Sequence, residues 1–150
     1  MRAPLLQSVP PTVAAAVIGN AFIGRDAIQW FQNLERPAMQ LPLREFMAVG
    51  GMYYVSIGTV LYRTALRRDS RAYRLALLVL AGNEGWNVLL FGRRSPRGGF
   101  LGVLGFTVLV GQLQEAVRDD RVSMLALAPY TAWVVCYDIP WTYQLWRRNS

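Results

Sequence analysis

Apolar positions along this chain fall into blocks, not at the three- and four-residue spacing of an amphipathic surface helix. Five blocks stand out, at residues 9–23, 46–61, 72–92, 98–117 and 122–146. A helix that crosses a bilayer needs about 20 mainly apolar residues. The last three blocks reach that length, the second falls slightly short, and the first is the weakest. The hydrocarbon core offers backbone groups no water, so helices are the favoured spanning structure. The pattern therefore predicts an all-α integral membrane protein: one domain over residues 1–150, built as a multi-pass five-helix bundle.

The polar punctuation refines that picture. The first connection, residues 24–45, is the longest. Asp26 is placed to cap a short helix carrying Trp30 and Leu34 on one face, and Pro37 and Pro42 then break it. A short aromatic helix beside the membrane would serve as a lid or interfacial anchor. The other connections, RRDSRAYR, RRSPRGG and RDDR, are brief enough to force antiparallel neighbours. At the start, Arg2, a short apolar core and small residues have a signal-peptide flavour. Because Pro10 and Pro11 precede the core, where a helix can begin, the segment is read as a first membrane helix.

Charge changes the picture little. The net charge is +7, and all 16 basic residues are arginines. They cluster at block ends, as in Arg63, Arg67, Arg68, Arg71 and Arg74, where headgroup anchors belong, so the partner is a lipid bilayer and not nucleic acid. A five-span topology puts eight arginines on each side, leaving orientation open. A single cysteine, Cys136, and no histidine exclude an intrachain disulfide, a zinc site and histidine catalysis, and no metal site is expected. Gly98 and Gly102 form a G-x-x-x-G extended by Gly105, which suits helix packing within the chain or a homodimer seam.

Two polar interruptions matter more. In the third block, Asn83, Trp86, Asn87 and Leu90 share a helical stripe, and Glu84 adjoins it. Exposing that stripe to lipid would be costly, so it should face the bundle interior or a polar cavity. The amides could be structural glue between helices, or could line a ligand cavity with Trp86 as a stacking wall. In the fifth block Tyr130, Trp133, Tyr137 and Trp141 form an aromatic stripe running through the span, beside Asp138. Packing explains such a stripe, as does a flat aromatic or sterol-like ligand. Pro140 should kink the helix and free the Cys136 carbonyl. Glu84 and Asp138 are the two intramembrane acids, and a close pair would suggest proton-linked function.

At this point the chain resembles the TspO/MBR family, the translocator or tryptophan-rich sensory proteins. Members carry W-x-x-x-L-x-K-P-x-W-x-P-P-x-x-x-F followed by V-W-x-x-L-Y-x-x-M-G. Here Trp30, Leu34, Arg36 for the lysine, Pro37, Pro42, Phe46, Val49, Tyr54 and Gly58 are in register. The third-helix pattern L-N-x-x-W-x-x-x-F-F-G is met by Asn83, Trp86, Phe91 and Gly92, and the fifth-helix P-Y-x-x-W by Pro129, Tyr130 and Trp133. The resemblance implies five transmembrane helices, a lid-like first loop, frequently a dimer, and a cavity for porphyrins and in some members sterols or synthetic aromatic ligands. There are departures. Met39 and Leu41 replace the loop tryptophan and first proline, and Gly50 replaces a second-helix tryptophan. Tyr137 and Asp138 stand where small residues are usual, and Pro140–Trp141 stand in place of Leu-Asn.

The expectation is a membrane receptor or transporter for a porphyrin, a sterol or a similar flat hydrophobic molecule, in a sensory or transport role. Trp30, Trp86, Tyr130, Trp133 and Tyr137 would supply walls, Asn83 or Asn87 a polar contact, and Arg36 a propionate or headgroup contact. No cofactor is required. Haem is a candidate ligand, but its iron would need Met, Tyr or Cys136 in the absence of histidine, so iron-free porphyrin fits more easily. The alternatives are a non-binding structural or regulatory partner acting through the Gly98–Gly102 face, and a membrane enzyme using Glu84 and Asp138 on a lipid-like or tetrapyrrole substrate.

Overall fold

The structure is a computed structural model that describes residues 2–150. Among these residues there are six helices and no strand: α1 (Arg2–Ala21), α2 (Arg25–Gln32), α3 (Leu43–Leu66), α4 (Ser70–Gly92), α5 (Pro96–Ala116) and α6 (Arg121–Arg148). Helices α4, α5 and α6 are each long and apolar enough to cross a membrane. Helices α1 and α2 reach that standard only as a pair bent by 63°. Helix α3 has the length, with 24 residues, but not the apolarity.

The helix starts follow from capping chemistry. Asp69 accepts a bond from the Ala72 N–H at 3.0 Å to start α4, and Ser95 accepts from the Gly98 N–H at 2.9 Å to start α5, with Pro96 just inside. Arg68 and Arg94 take left-handed φ values of 57° and 50° just beyond α3 and α4, which turns the chain back sharply.

Three local expectations need correction. Pro10 and Pro11 lie inside α1, not at its start. Proline 11 removes the N–H that would bond the Gln7 carbonyl, and the Tyr73 hydroxyl donates to that carbonyl at 2.8 Å, so the break in the ladder becomes a tie between α1 and α4. Asp26 is not the cap of α2: Gly24 is, without a side-chain bond, and Asp26 sits in the first turn, where it complements the helix dipole. Leu34 lies beyond the end of α2 at Gln32, although both it and Trp30 pack on the same cluster.

Helix α4 packs against α1, α3 and α5, and α6 closes against α3 and α5. Lipid tails are as apolar as leucine, so close packing and polar bonds hold membrane helices together more than burial does. Glycine provides that close approach between α4 and α5. A Cβ on Gly99 would stand 2.8 Å from Leu90 Cδ1, and one on Gly102 would stand 2.9 Å from Leu89 Cδ1. Gly102 of the G-x-x-x-G is therefore occupied by packing within the chain, while Gly105 is exposed with open space beside it. Tyr53, Ile57, Val79, Val110, Leu113 and Leu127 form the buried centre. A smaller cluster of Phe31, Leu90, Phe91, Trp141 and Leu145 lies beneath α2. Leu6, Val17, Met52, Val55 and Val108 point outward, each 60% exposed or more, as a lipid-facing surface requires.

Candidate functional site

Two of the long helices change their winding at the same end of the bundle. Residues Val88–Gly92 of α4 and Val134–Asp138 of α6 are π-helical turns. In α6 the cause is visible in the chemistry. Pro140 has no N–H to offer the Cys136 carbonyl, and the Ile139 N–H reaches back to Val134, one residue further than in an α-helix. A turn that holds one extra residue shifts the phase of every side chain after it.

Between α1, α3, α4 and α6, beside these turns, lies a cavity of about 210 Å³. Its aromatic walls are Tyr53, Trp86, Tyr130 and Trp133, with Asn83 and Asn87 along one side. Exposed Asn20, Met47 and Gly51 mark its mouth, which opens laterally between α1 and α3. Several of these side chains are held by their polar ends. The Trp86 indole N–H donates to the Gly99 carbonyl at 3.0 Å, and the Tyr53 hydroxyl to the Val79 carbonyl at 3.3 Å. Tyr53 and Tyr130 pack with ring centres 4.6 Å apart.

Glu84 lies buried behind this wall. It accepts bonds from the Tyr54 hydroxyl at 2.7 Å and from the Asn83 and Asn87 amides at 3.1 and 3.3 Å. Its carboxylate fills the space above Gly19, where a Cβ would fall 1.8 Å from Oε2. Asn83 also accepts a bond from Tyr130 at 3.4 Å. The amides that the third-block stripe singled out thus serve as donors to Glu84 and as cavity wall at once. Asp138 lines the cavity and accepts a bond from the Trp133 indole N–H at 3.0 Å. Among the described residues no hydrogen bond joins Asp138 to Glu84, so the two acids are not a shared-proton pair in this conformation.

Of the expected ligand residues, Asn83, Trp86, Asn87, Tyr130 and Trp133 line the cavity, and Trp30, Arg36 and Tyr137 do not. Trp30 packs on the cluster beneath α2. Arg36 is exposed and donates to the Gln32 carbonyl. Tyr137 is displaced by the π turn, which brings Asp138 to the position an unbroken α-helix would give it. The Tyr137 ring instead backs Trp133 at 4.2 Å, and its hydroxyl accepts the Leu41 N–H at 2.9 Å. Leu90 and Trp141 leave their stripes for the second cluster. Cys136 is exposed and does not line the cavity. Gly19 and Asn20 of α1 and Ile23 in the turn after it were missed. Small and polar residues late in the weakest apolar block were the available signal. Gly50, where the related pattern has tryptophan, and Gly51 line the cavity with nothing within 4 Å of a would-be Cβ.

The first connection lies against the C-terminal half of α6. Asn149 accepts the Glu35 N–H at 2.9 Å and donates to its carbonyl at 3.1 Å, and the Trp141 indole N–H meets Gln40 at 3.4 Å.

Fold and site together define a multi-pass helical membrane protein with an aromatic-walled cavity at one end of its helices. The chain belongs to the TspO/MBR family, whose sequence model matches residues 8–147, nearly its whole length. No individually curated protein matches it.

Proposed function

We propose that this chain is a five-span member of its family that holds a flat hydrophobic ligand of the porphyrin or sterol class in the cavity, in a sensory or transport role. Family membership supports the binding class in general. The observation that carries the reading is the cavity itself, where six aromatic residues from three helices converge with the amides of Asn20, Asn83 and Asn87. Helices α1 and α3 are the spans that apolarity alone leaves open, and their packing against α4 supports counting them as membrane crossings.

At about 210 Å³ the cavity is smaller than the roughly 300 Å³ at which small-molecule sites usually begin. A tetrapyrrole therefore enters only if the mouth widens, and the open space beside Gly50 and Gly51 is where widening meets least resistance. The test is a titration with protoporphyrin in a nonionic detergent, following the porphyrin absorption band and tryptophan quenching for wild type and Trp86→Leu. Saturable binding weakened in the variant supports the reading. Linear quenching equal in both proteins and in a detergent blank overturns it.

A further inference from the structure

Among the described residues the cavity carries one charged side chain, and it is an acid; no arginine lines it. Asp138 is buried, and only one of its carboxylate oxygens is engaged, by the Trp133 indole. Among the described residues the other oxygen accepts no hydrogen bond, and no side-chain oxygen sealed from the surface lacks a partner. That free oxygen therefore opens onto the cavity. Behind the wall Glu84 adds a second buried carboxylate whose partners are a phenol and two amides, all neutral. No arginine approaches either acid within 4.0 Å among the described residues. An acid within a membrane is costly to leave charged without a counter-charge; a proton can neutralise it, and so can a cationic ligand that reaches the open oxygen.

We infer that the cavity selects a ligand whose flat apolar ring carries a positively charged nitrogen, with Asp138 as the specificity-determining carboxylate. The inference rests on the reading of the cavity as a ligand site and names the chemistry of that ligand. The walls suit the same group. A cation among Tyr53, Trp86, Tyr130 and Trp133 gains from ring faces as well as from the carboxylate. A ligand whose charge resides in carboxylates finds the opposite. Nothing inside the cavity neutralises it, and Arg36, the basic residue expected to meet a propionate, lies exposed outside. Porphyrins would have to leave their acid groups at the mouth, whereas a ring-borne ammonium or amidinium is drawn inward.

The experiment compares two molecules of one ring system, 9-aminoacridine, which is cationic at neutral pH, and acridine, which is uncharged. Each is titrated by fluorescence into wild type and Asp138→Asn in nonionic detergent, with protoporphyrin as a third probe. Wild type should bind the cation about tenfold more tightly than acridine. Asp138→Asn keeps the Trp133 bond and should remove most of that preference while leaving acridine within about twofold. Equal affinity for the two acridines on wild type, with saturable binding of either or of protoporphyrin, overturns the role of Asp138 and leaves the aromatic cavity standing. So does a cation preference that survives in Asp138→Asn. No saturable binding of any of the three probes overturns the ligand site itself. Should Asp138→Asn aggregate on gel filtration, Asp138→Ser replaces it, and the wild-type ratio tests the cation preference without any variant.

Discussion

Two buried aspartates, at opposite ends of the helices, are treated in opposite ways. Asp120, just before α6, receives two bonds from the Arg63 guanidinium at 3.1 and 2.7 Å and one from the Ser123 hydroxyl at 2.6 Å. Arg67 stands 3.8 Å away. Both carboxylate oxygens are engaged, and Asp120 makes no side-chain cap to its own helix. Asp138, within α6, has one indole N–H and an open oxygen. The first arrangement is complete and needs nothing further, because it clamps α3 to α6. The second leaves one carboxylate oxygen open to the cavity, where the proposed cationic ligand would meet it. Pairs in which both groups are charged are the strong ones, so one end of the bundle is locked by an ion pair and the other is held by bonds from neutral donors around a space.

The comparison breaks most readily at the clamp. Arg63→Ala leaves Asp120 buried with Ser123 and a distant Arg67, and should lower stability by about 2 kcal/mol. Thermal unfolding in detergent reads the loss, and protoporphyrin affinity should stay as in wild type because the cavity lies at the other end. The pH dependence follows from the carboxyl. Bonds from Arg63 and Ser123 hold Asp120 well below the usual carboxylate range. Its contribution is therefore full above the unfolded value of about 4 and is lost as pH falls toward the lower folded value. The gap between wild type and Arg63→Ala should shrink below that pH. A gap that stays constant in acid would mean the clamp does not depend on the Asp120 charge.

At the cavity end the corresponding test is steric. Gly19→Ala places a Cβ where Glu84 Oε2 now lies, so the carboxylate must leave its three donors or α1 must move. Overpacking of this kind should cost about 1–2 kcal/mol. Removing the obstacle should restore what was lost, so Gly19→Ala with Glu84→Ala should be more stable than the sum of the single changes predicts. Strict additivity would show that Glu84 does not occupy the notch over Gly19.

The same two ends show what could be read in the chain and what could not. Blocks of apolar residues located α4, α5 and α6 to within two positions, because a span is defined by composition over a length. The first block, by contrast, began seven residues late on α1, and the second ended five residues short on α3. The third-block stripe of Asn83, Trp86 and Asn87 was legible for the same reason, since it lies ahead of the π turn, where three- and four-residue spacing still holds. The aromatic stripe of α6 was legible only as far as Trp133. Beyond it the extra residue in the turn exchanges Tyr137 for Asp138, and periodicity assumes a constant turn. Pro140 was the available sign, and the spacing argument took from it a kink but not the wider turn that precedes it. The clamp was illegible, because Arg63 and Asp120 are far apart in sequence and each looked like an ordinary end-of-span charge. Tyr73 closing the gap left by Pro11 was hidden for the same reason.

The smallest effect is expected where the cavity end is closed by single neutral bonds. Tyr137→Phe removes the acceptor of the Leu41 N–H but leaves the ring to stack on Trp133. The remaining ties of the first connection, at Glu35 with Asn149 and at Gln40 with Trp141, stay in place. A neutral hydrogen bond is worth about 1 kcal/mol, so global unfolding should shift little, while amide exchange at Leu41 should quicken about fivefold as that segment opens more often. Exchange in the middle of α5 should not change, since Val110 and Leu113 are buried far from the loop in the bundle core. If exchange at Leu41 does not change, the Tyr137 bond contributes nothing to holding the loop. If unfolding falls as far as in Arg63→Ala, the loop is part of the cooperative core, and the contrast between a locked end and a loosely closed one fails.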